Sequence, residues 1–145
     1  MNKEIDLIKK VTSLFLKRGR AVDSMGRPLR EELCSGVCYY WAYVFLKVLG
    51  GKPVSLITKK FPCGGFAGHA VVYYKGKYFD GENPQGCKDP HQLINDPRSE
   101  TQVVKHSSLG AYVKYWKIDQ HSYKSESLES IMCQVANNVK KDLRK

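Results

Sequence analysis

The spacing of apolar side chains predicts a helix near each end of the chain. Between residues 4 and 17, apolar residues recur every three or four positions, at Ile5, Ile8, Val11, Leu14 and Phe15. The C-terminal region has the same period, at Leu128, Ile131, Met132, Val135, Val139 and Leu143. This period places each set on one face of a helix. The acidic start and basic end of the second segment also suit the helix dipole.

The middle of the chain has the patterns of one more helix and several strands. The run YYWAYVFLKVL predicts a helix that stops at Gly50-Gly51. Strand patterns occupy PVSLIT (53–58), the hairpin segment HAVVYYKGKYFD (69–80), TQVVKH (101–106) and AYVKYWKI (111–118), and HQLIND (91–96) predicts a short helix. This order predicts a single α+β domain over residues 1–145, with helices packed on an antiparallel sheet.

The composition is that of an ordinary globular protein. Of the 145 residues, 42% are hydrophobic and 26% are charged, which excludes a disordered chain. No apolar stretch is long enough to span a bilayer, and the N-terminal residues lack the apolar block of a signal peptide. The chain has five cysteines, an odd number without the spacing of a disulfide framework. We therefore expect a reducing, cytoplasmic location.

The net charge of +10 is the unusual global property. A surplus of that size attracts anionic partners such as nucleic acid, acidic proteins or a membrane surface. The Lys and Arg residues are scattered, and they are not interleaved with aromatic residues as in a groove for single-stranded nucleic acid. The charge therefore indicates an anionic partner but not its class.

Cys38 occupies a position that favours nucleophilic chemistry. Ser35-Gly36 suits a helix N-cap, which places Cys38 in the first turn of the helix. Backbone N–H groups and the positive end of the helix dipole there favour a thiolate and can stabilise an oxyanion. A nucleophilic thiol also needs a base, and the base needs a group that orients it.

His69 and Asp80 are placed by the predicted hairpin to fill those two roles. A two-residue turn at Lys75-Gly76 pairs residues whose numbers sum to 151, so Asp80 lies opposite Val71. A two-residue turn at Gly76-Lys77 is the alternative, and it also keeps Asp80 and His69 on one face. Asp80 then shares a face with His69, within side-chain reach along the diagonal. We expect the Cys38 helix to pack on that face. Alternation gives that face Val71, Tyr73 and Tyr78, and the other face Ala70, Val72 and Phe79.

These motifs resemble those of the transglutaminase-like branch of the papain-type cysteine enzymes. The resemblance rests on GVCYYWAYVFLKVLGG around Cys38, GHAVVYY around His69 and KYFDG around Asp80, within residues 34–82. In that family the cysteine follows Gly-Val at a helix N-terminus, with Ala four residues later and Phe seven residues later. Ala42 and Phe45 match this spacing. The resemblance implies a papain-like (transglutaminase-like) domain.

The resemblance also implies a function, which is thiol-dependent acyl transfer by a Cys-His-Asp triad on an amide bond. The enzyme would be a cysteine peptidase, an amidase, or a glutamine deamidase or transglutaminase. Cys38 would attack the carbonyl, His69 would move the proton, and Asp80 would hold the imidazole. We expect a protein or peptide substrate and a reaction that needs neither cofactor nor metal.

Three other residues are alternatives for these roles. Cys34, in CSG, resembles the nucleophile of the NlpC-type cell-wall peptidases, although the aspartate of that motif is absent here. His106 could replace His69 as the base, and Glu82 could replace Asp80. The spacing of the Ala and Phe in the family motif favours the second cysteine of the close pair as the nucleophile.

A zinc-binding or nucleic-acid-binding module is the alternative from another class. Five soft ligands are available, Cys34, Cys38, Cys63, His69 and Cys87. The basic surface would then bind nucleic acid. Zinc ribbons and knuckles repeat a close pair of ligands twice, whereas this chain has one such pair, so the enzyme is the favoured hypothesis.

Overall fold

The computed structural model describes residues 3–18, 38–58, 67–93, 101–120, 122–123 and 125–144. Its helices are α1 (Lys3–Arg18), α2 (Cys38–Val48), α3 (Leu109–Tyr115) and α4 (Leu128–Leu143). Its strands are β1 (Lys52–Thr58), β2 (Ala67–Tyr74), β3 (Lys77–Phe79), β4 (Gln102–Lys105), β5 (Ser122–Tyr123) and β6 (Glu126–Ser127). Short 3-10 turns lie at Pro90–Leu93 and Ile118–Gln120.

Four of the strands form an antiparallel sheet in the order β3-β2-β1-β4. Strands β5 and β6 form a separate two-stranded ladder. Helices beside an antiparallel sheet confirm the predicted α+β class. No helix within the described ranges is long and apolar enough to cross a membrane.

The main core lies between α2 and one face of the sheet, and α1 and α4 pack against α2. Eight of the eleven residues of α2 are buried, as expected of a helix that is apolar on nearly all sides. Ala70, Val72 and Phe79 contribute the sheet side of this core. A smaller cluster, which includes Val71 and Tyr78, lies on the opposite face.

The end of α2 depends on two glycines. Gly50 and Gly51 have φ values of 91° and 105°, which L side chains rarely adopt. A Cβ on Gly51 would also lie 2.7 Å from the Tyr73 carbonyl oxygen. The pair therefore stops the helix where predicted and lets the chain pass close to β2 as it enters β1.

The hairpin of β2 and β3 has the predicted register. Lys75 and Gly76 both have positive φ, 49° and 86°, as a two-residue type I′ turn requires. The pairs Val72–Phe79, Tyr73–Tyr78 and Tyr74–Lys77 all have numbers that sum to 151. The turn chemistry therefore set the register as expected.

The predicted packing face of the Cys38 helix was wrong. Helix α2 covers the face of Ala70, Val72 and Phe79, and not the face of Val71 and Tyr78. Alternation along the hairpin separates the two sets of side chains correctly. Both sets are apolar, however, so alternation does not decide which set a helix will cover.

The strand predicted over residues 111–118 was also wrong, because most of this segment belongs to helix α3. The Ser108 side chain accepts the N–H of Ala111 and caps the helix. Buried Tyr112 and Val113 follow Leu109 at helical spacing, and Trp116 continues the same face. The cap and the helical period together outweigh the strand propensity of the aromatic residues.

Candidate active site

Cys38 is the first residue of α2, and its sulfur meets the edge of β2. The Ala70 N–H donates to Sγ of Cys38 at 3.5 Å. Ala70 lies two residues before Val72, which pairs with Phe79, the last residue of β3. The N–H of Ala70 therefore points past the end of β3, where the sulfur can accept it. Only 2% of Cys38 is exposed.

His69 and Asp80 form a hydrogen-bonded pair beside this sulfur. His69 Nε2 and Asp80 Oδ2 are 2.9 Å apart, with side-chain exposures of 13% and 1%. The hairpin register brings the two residues together along the diagonal, as the parity of the two-residue turn predicts. The pair is therefore largely shielded from water.

The second oxygen of the Asp80 carboxylate is held by the loop that follows β3. Oδ1 accepts the Glu82 backbone N–H at 3.0 Å and the Asn83 side-chain amide at 2.7 Å. Burial acts to raise the pKa of Asp80, but the hydrogen bonds from His69, Asn83 and Glu82 outweigh it and lower the pKa. Asp80 is therefore a carboxylate at neutral pH.

The pKa of His69 is raised to about 9. Burial acts to lower it, but the hydrogen bond to Asp80 and the nearby Cys38 sulfur outweigh that effect. Because Nε2 is bound to Asp80, Nδ1 is the nitrogen left for the sulfur. Nδ1 is buried and makes no hydrogen bond of ordinary geometry within the described part of the chain. The imidazole is therefore charged at neutral pH, with Nε2 bound to Asp80 and the Cys38 sulfur as the neighbour of the ring.

The alternative base, His106, is bound elsewhere. Its Nε2 lies 2.7 Å from Oγ of Ser55, which also accepts the indole N–H of Trp116 at 2.8 Å. Burial lowers the pKa of His106. His106 therefore bonds to a hydroxyl, whereas His69 bonds to a carboxylate.

The other predicted candidates are placed as follows. Glu82 is exposed, and it contributes its backbone N–H to Asp80. Cys34 and Cys63 lie outside the described residues. The thiol of Cys87 donates to the Asp89 carbonyl oxygen at 3.2 Å. Across the described ranges, no three His, Cys, Asp or Glu side chains are grouped closely enough to hold a metal ion.

Three residues near the site were not singled out from the sequence. Asn83 binds the Asp80 carboxylate, and Tyr112 donates to the Tyr39 carbonyl oxygen at 2.7 Å at the start of α2. The ring of Trp116 stacks on Tyr39 at 6.0 Å. The ENPQG segment has the composition of a loop, but composition does not show that the loop binds the Asp80 carboxylate. The roles of Tyr112 and Trp116 depend on helix α3, which was predicted as a strand.

Three groups therefore lie next to one another: the Cys38 thiol at the start of α2, the charged imidazole of His69 on β2, and the Asp80 carboxylate just after β3. Such a set can deliver a sulfur nucleophile and move one proton. No protein-family model, curated protein or solved structure matches the chain. A function is therefore inferred from this geometry.

Proposed function

We propose that the chain is a thiol-dependent acyl-transfer enzyme of papain-like, transglutaminase-like type that acts on an amide bond of a protein or peptide. The observation that carries the proposal is the bond between His69 and Asp80, 2.9 Å long, beside the sulfur of Cys38. A lone buried cysteine has no need of a charged imidazole and a shielded carboxylate beside it. A thiolate nucleophile uses both, because the imidazole moves the proton and the carboxylate orients the imidazole.

The first step is attack by the Cys38 thiolate on the carbonyl carbon of the amide. A pKa of about 9 keeps His69 protonated at neutral pH, so the sulfur has a cation beside it. The new C–S bond pushes the carbonyl electrons onto oxygen. When the C–N bond breaks, His69 gives its proton to the nitrogen, and an amine leaves.

The second step releases the acyl group from the thioester. Water or an amine attacks the thioester carbonyl, while the neutral His69 takes a proton from the attacking group. The C–S bond then breaks, and its electrons return to sulfur as the thiolate. Water gives hydrolysis, whereas an amine gives acyl transfer, and the same three residues serve both outcomes.

Asp80 and the start of α2 support these steps. Asp80 accepts the Nε2–H of His69, which fixes the orientation of the ring and favours its charged form. The first N–H groups of a helix have no intrahelical partner. Those at the start of α2 lie next to Cys38 and can stabilise the oxyanion.

The basic charge supports an anionic substrate or partner, which for the proposed enzyme would be an acidic protein. A net charge of +10 raises the rate of encounter with anionic surfaces, and this effect weakens with salt. Binding to duplex and single-stranded DNA should therefore be weak at physiological ionic strength. Tight, sequence-tolerant binding at that salt concentration would favour the nucleic-acid alternative.

Selective alkylation tests the proposed nucleophile. The reduced protein is treated briefly with iodoacetamide at pH 6, and labelled cysteines are identified by peptide mass mapping. We expect Cys38 to react ahead of Cys87 and Cys133. Burial and the nearby Asp80 and Asp89 raise the pKa of Cys87, so Cys87 is the matched slow control within the same chain.

The same experiment has two outcomes that count against the proposal. Preferential labelling of Cys34 would move the nucleophile to that residue. Slow labelling of all five cysteines at similar rates would argue against a thiol enzyme. Because Cys38 is only 2% exposed, the rate also measures whether a small electrophile can reach the sulfur.

A further inference from the structure

The loop after β3 holds Asn83 at a defined place. The Asn83 N–H donates to the Asp80 carbonyl oxygen at 3.2 Å, and the Gly86 N–H donates to the Asn83 carbonyl oxygen at 3.1 Å. Tyr78 and Cys87 then pair through two backbone hydrogen bonds of 2.8 and 3.0 Å. This pairing closes the loop against β3, so the backbone of Asn83 is fixed on both sides.

The side chain of Asn83 is fixed as well. Its Nδ2 donates to Asp80 Oδ1 at 2.7 Å, whereas its Oδ1 accepts the side-chain amide of Gln85 at 3.4 Å. A carboxylate can only accept hydrogen bonds, so the donating end of the Asn83 amide must face Asp80. Both bonds therefore agree on the orientation of the amide.

The two oxygens of the Asp80 carboxylate thus have different hydrogen-bond partners. Oδ1 is held by Asn83 and by the backbone N–H of Glu82, and Oδ2 binds His69. The torsion that turns a carboxylate is broad and poorly defined by itself. Two donors on one oxygen restrict that torsion and keep the other oxygen directed at the imidazole.

We propose that Asn83 is a positioning residue that acts through Asp80, holding its carboxylate in the rotation that keeps His69 aligned toward Cys38. This inference rests on the proposed function, since alignment of His69 matters to catalysis only if Cys38 is the nucleophile. Asn83 itself touches neither the sulfur nor the imidazole in the bonds that the structure shows, so it is not a catalytic residue.

The test is the titration of the His69 imidazole, followed by NMR of the histidine ring nitrogens in full-length protein. Asn83→Ala should lower the pKa of His69 from about 9. A decrease of roughly half a unit to one unit is expected, because a misaligned carboxylate binds the charged ring less well. Asn83→Leu, which has nearly the same size but no donor, should have the same effect if Asn83→Ala does not fold.

Two further variants distinguish positioning from a general effect on the loop. Gln85→Ala removes the outer amide, which does not touch Asp80, and should leave the His69 titration unchanged. Asp80→Asn should lower the pKa of His69 further than Asn83→Ala does. Adding Asn83→Ala to Asp80→Asn should change nothing more, because the group through which Asn83 acts is already neutral.

Three other titratable groups interact with this chain of residues: Cys38 with His69, Cys87 with Asp80, and Tyr112 with Cys38. All three are retained in every variant, so differences between variants belong to the Asn83–Asp80–His69 chain. An unchanged pKa in Asn83→Ala would overturn the positioning role. A decrease of equal size in the Asp80→Asn background would overturn it as well.

The alkylation of Cys38 separates failure of this inference from failure of the proposed function. If the His69 pKa falls in Asn83→Ala but alkylation of the unmodified protein is unselective, the positioning is upheld and the enzyme is not. If alkylation is selective but the pKa does not change, the enzyme stands and the positioning role is overturned.

Discussion

His69 and His106 show how two histidines of one sheet region can have different charge states. His69 lies on β2 and His106 directly follows β4, and both rings are mostly buried. Burial acts on both in the same direction and lowers the pKa. The pKa of His69 nevertheless rises to about 9, whereas that of His106 stays below its ordinary value. The hydrogen-bond partner, and not burial, therefore decides the charge of each ring.

The two partners also determine what each ring can do. Ser55 has one hydroxyl proton, and its oxygen accepts the Trp116 indole N–H. Since the hydroxyl lies 2.7 Å from His106 Nε2, its proton is best used on that nitrogen, which requires a neutral His106 with its own proton on Nδ1. A hydroxyl that can donate therefore suits a neutral His106, whereas His69 has an acceptor on one side and a sulfur on the other.

The largest expected difference between the two histidines is in how their substitution changes the reactivity of Cys38. His69→Asn should slow alkylation of Cys38 at pH 6 by about two orders of magnitude, because it removes the charged imidazole beside the sulfur. The second-order rate constant with iodoacetamide, measured by mass mapping at several reagent concentrations, tests this expectation.

His106→Asn is the matched control for that measurement. It also replaces a buried imidazole with an amide on the same sheet, but it leaves the Cys38–His69–Asp80 chain intact. Its rate constant should stay within about twofold of the unmodified protein, as expected for a residue outside the reacting group. Equal slowing in both variants would mean that the reactivity follows the stability of the fold and not the charge of His69.

The second comparison concerns stability at alkaline pH. The pKa of His69 is higher in the folded chain than its ordinary value of 6.5, so the fold favours the protonated ring. This stabilisation is complete below pH 6.5 and is lost as the pH rises through about 9. The free energy of unfolding should fall by about 3 kcal/mol across this window because of this one group.

Urea unfolding of the reduced protein at several pH values between 6.5 and 9.5 measures this loss. In His69→Asn the fall should be absent or much smaller, whereas His106→Asn should retain it. A fall of the same size in His69→Asn would assign the pH dependence to another group and leave the His69–Asp80 bond without a detectable effect on stability.

The proximity of His69 and Asp80 could be predicted because it depends on local turn chemistry. Lys75-Gly76 permits positive φ at both positions, and that choice alone sets the register of the hairpin and the faces of its side chains. The end of α2 at the glycine pair was predictable for the same reason, since helix terminators are short-range signals. The predicted N-cap at Ser35-Gly36 lies outside the described residues.

Features that depend on long-range packing could not be predicted. The face of β2 that α2 covers is the one whose apolar surface fits the helix better. Ala70 and Val71 lie on opposite faces and both are apolar, so the sequence pattern does not show which face the helix covers. The contact of Cys38 with Ala70 joins residues 32 positions apart. The segment after Ser108 is a different case, because its cap and its helical period are short-range signals that the strand propensity of its aromatic residues obscured.

The third prediction concerns the Ser55 hydroxyl, which is hydrogen-bonded to His106. Ser55→Ala should destabilise the protein by about 1–3 kcal/mol, because it leaves the buried Nε2 of His106 and the Trp116 indole N–H without their shared partner. Thermal or urea unfolding gives the change in stability, and the emission of Trp116 should change with it. The Cys38 alkylation rate should change little.

Ser130→Ala is the control for this change. Ser130 is exposed on α4, and a serine at such a position contributes little to stability. A neutral result in Ser55→Ala would mean that water replaces the hydroxyl as a partner. A large loss of Cys38 reactivity would mean instead that the Ser55–His106 pair belongs to the same working unit as the Cys38–His69–Asp80 chain.

The smallest expected effect is the pH dependence of His106, which has the opposite sign to that of His69. Because the pKa of His106 is lower in the folded chain, its contribution to stability is present above pH 6.5 and is lost as the pH falls through the folded pKa. Between pH 6.5 and 5, the free energy of unfolding should therefore decrease, and His106→Asn should flatten this part of the curve. His69 adds only a small slope of opposite sign there, since its unfolded form is half protonated at pH 6.5 and almost fully protonated at pH 5. Asp80 is ionised throughout this window. The opposite result would be a gain of stability on acidification that disappears in His106→Asn. It would mean that His106 is charged in the folded protein and that the Ser55 hydroxyl does not keep the ring neutral.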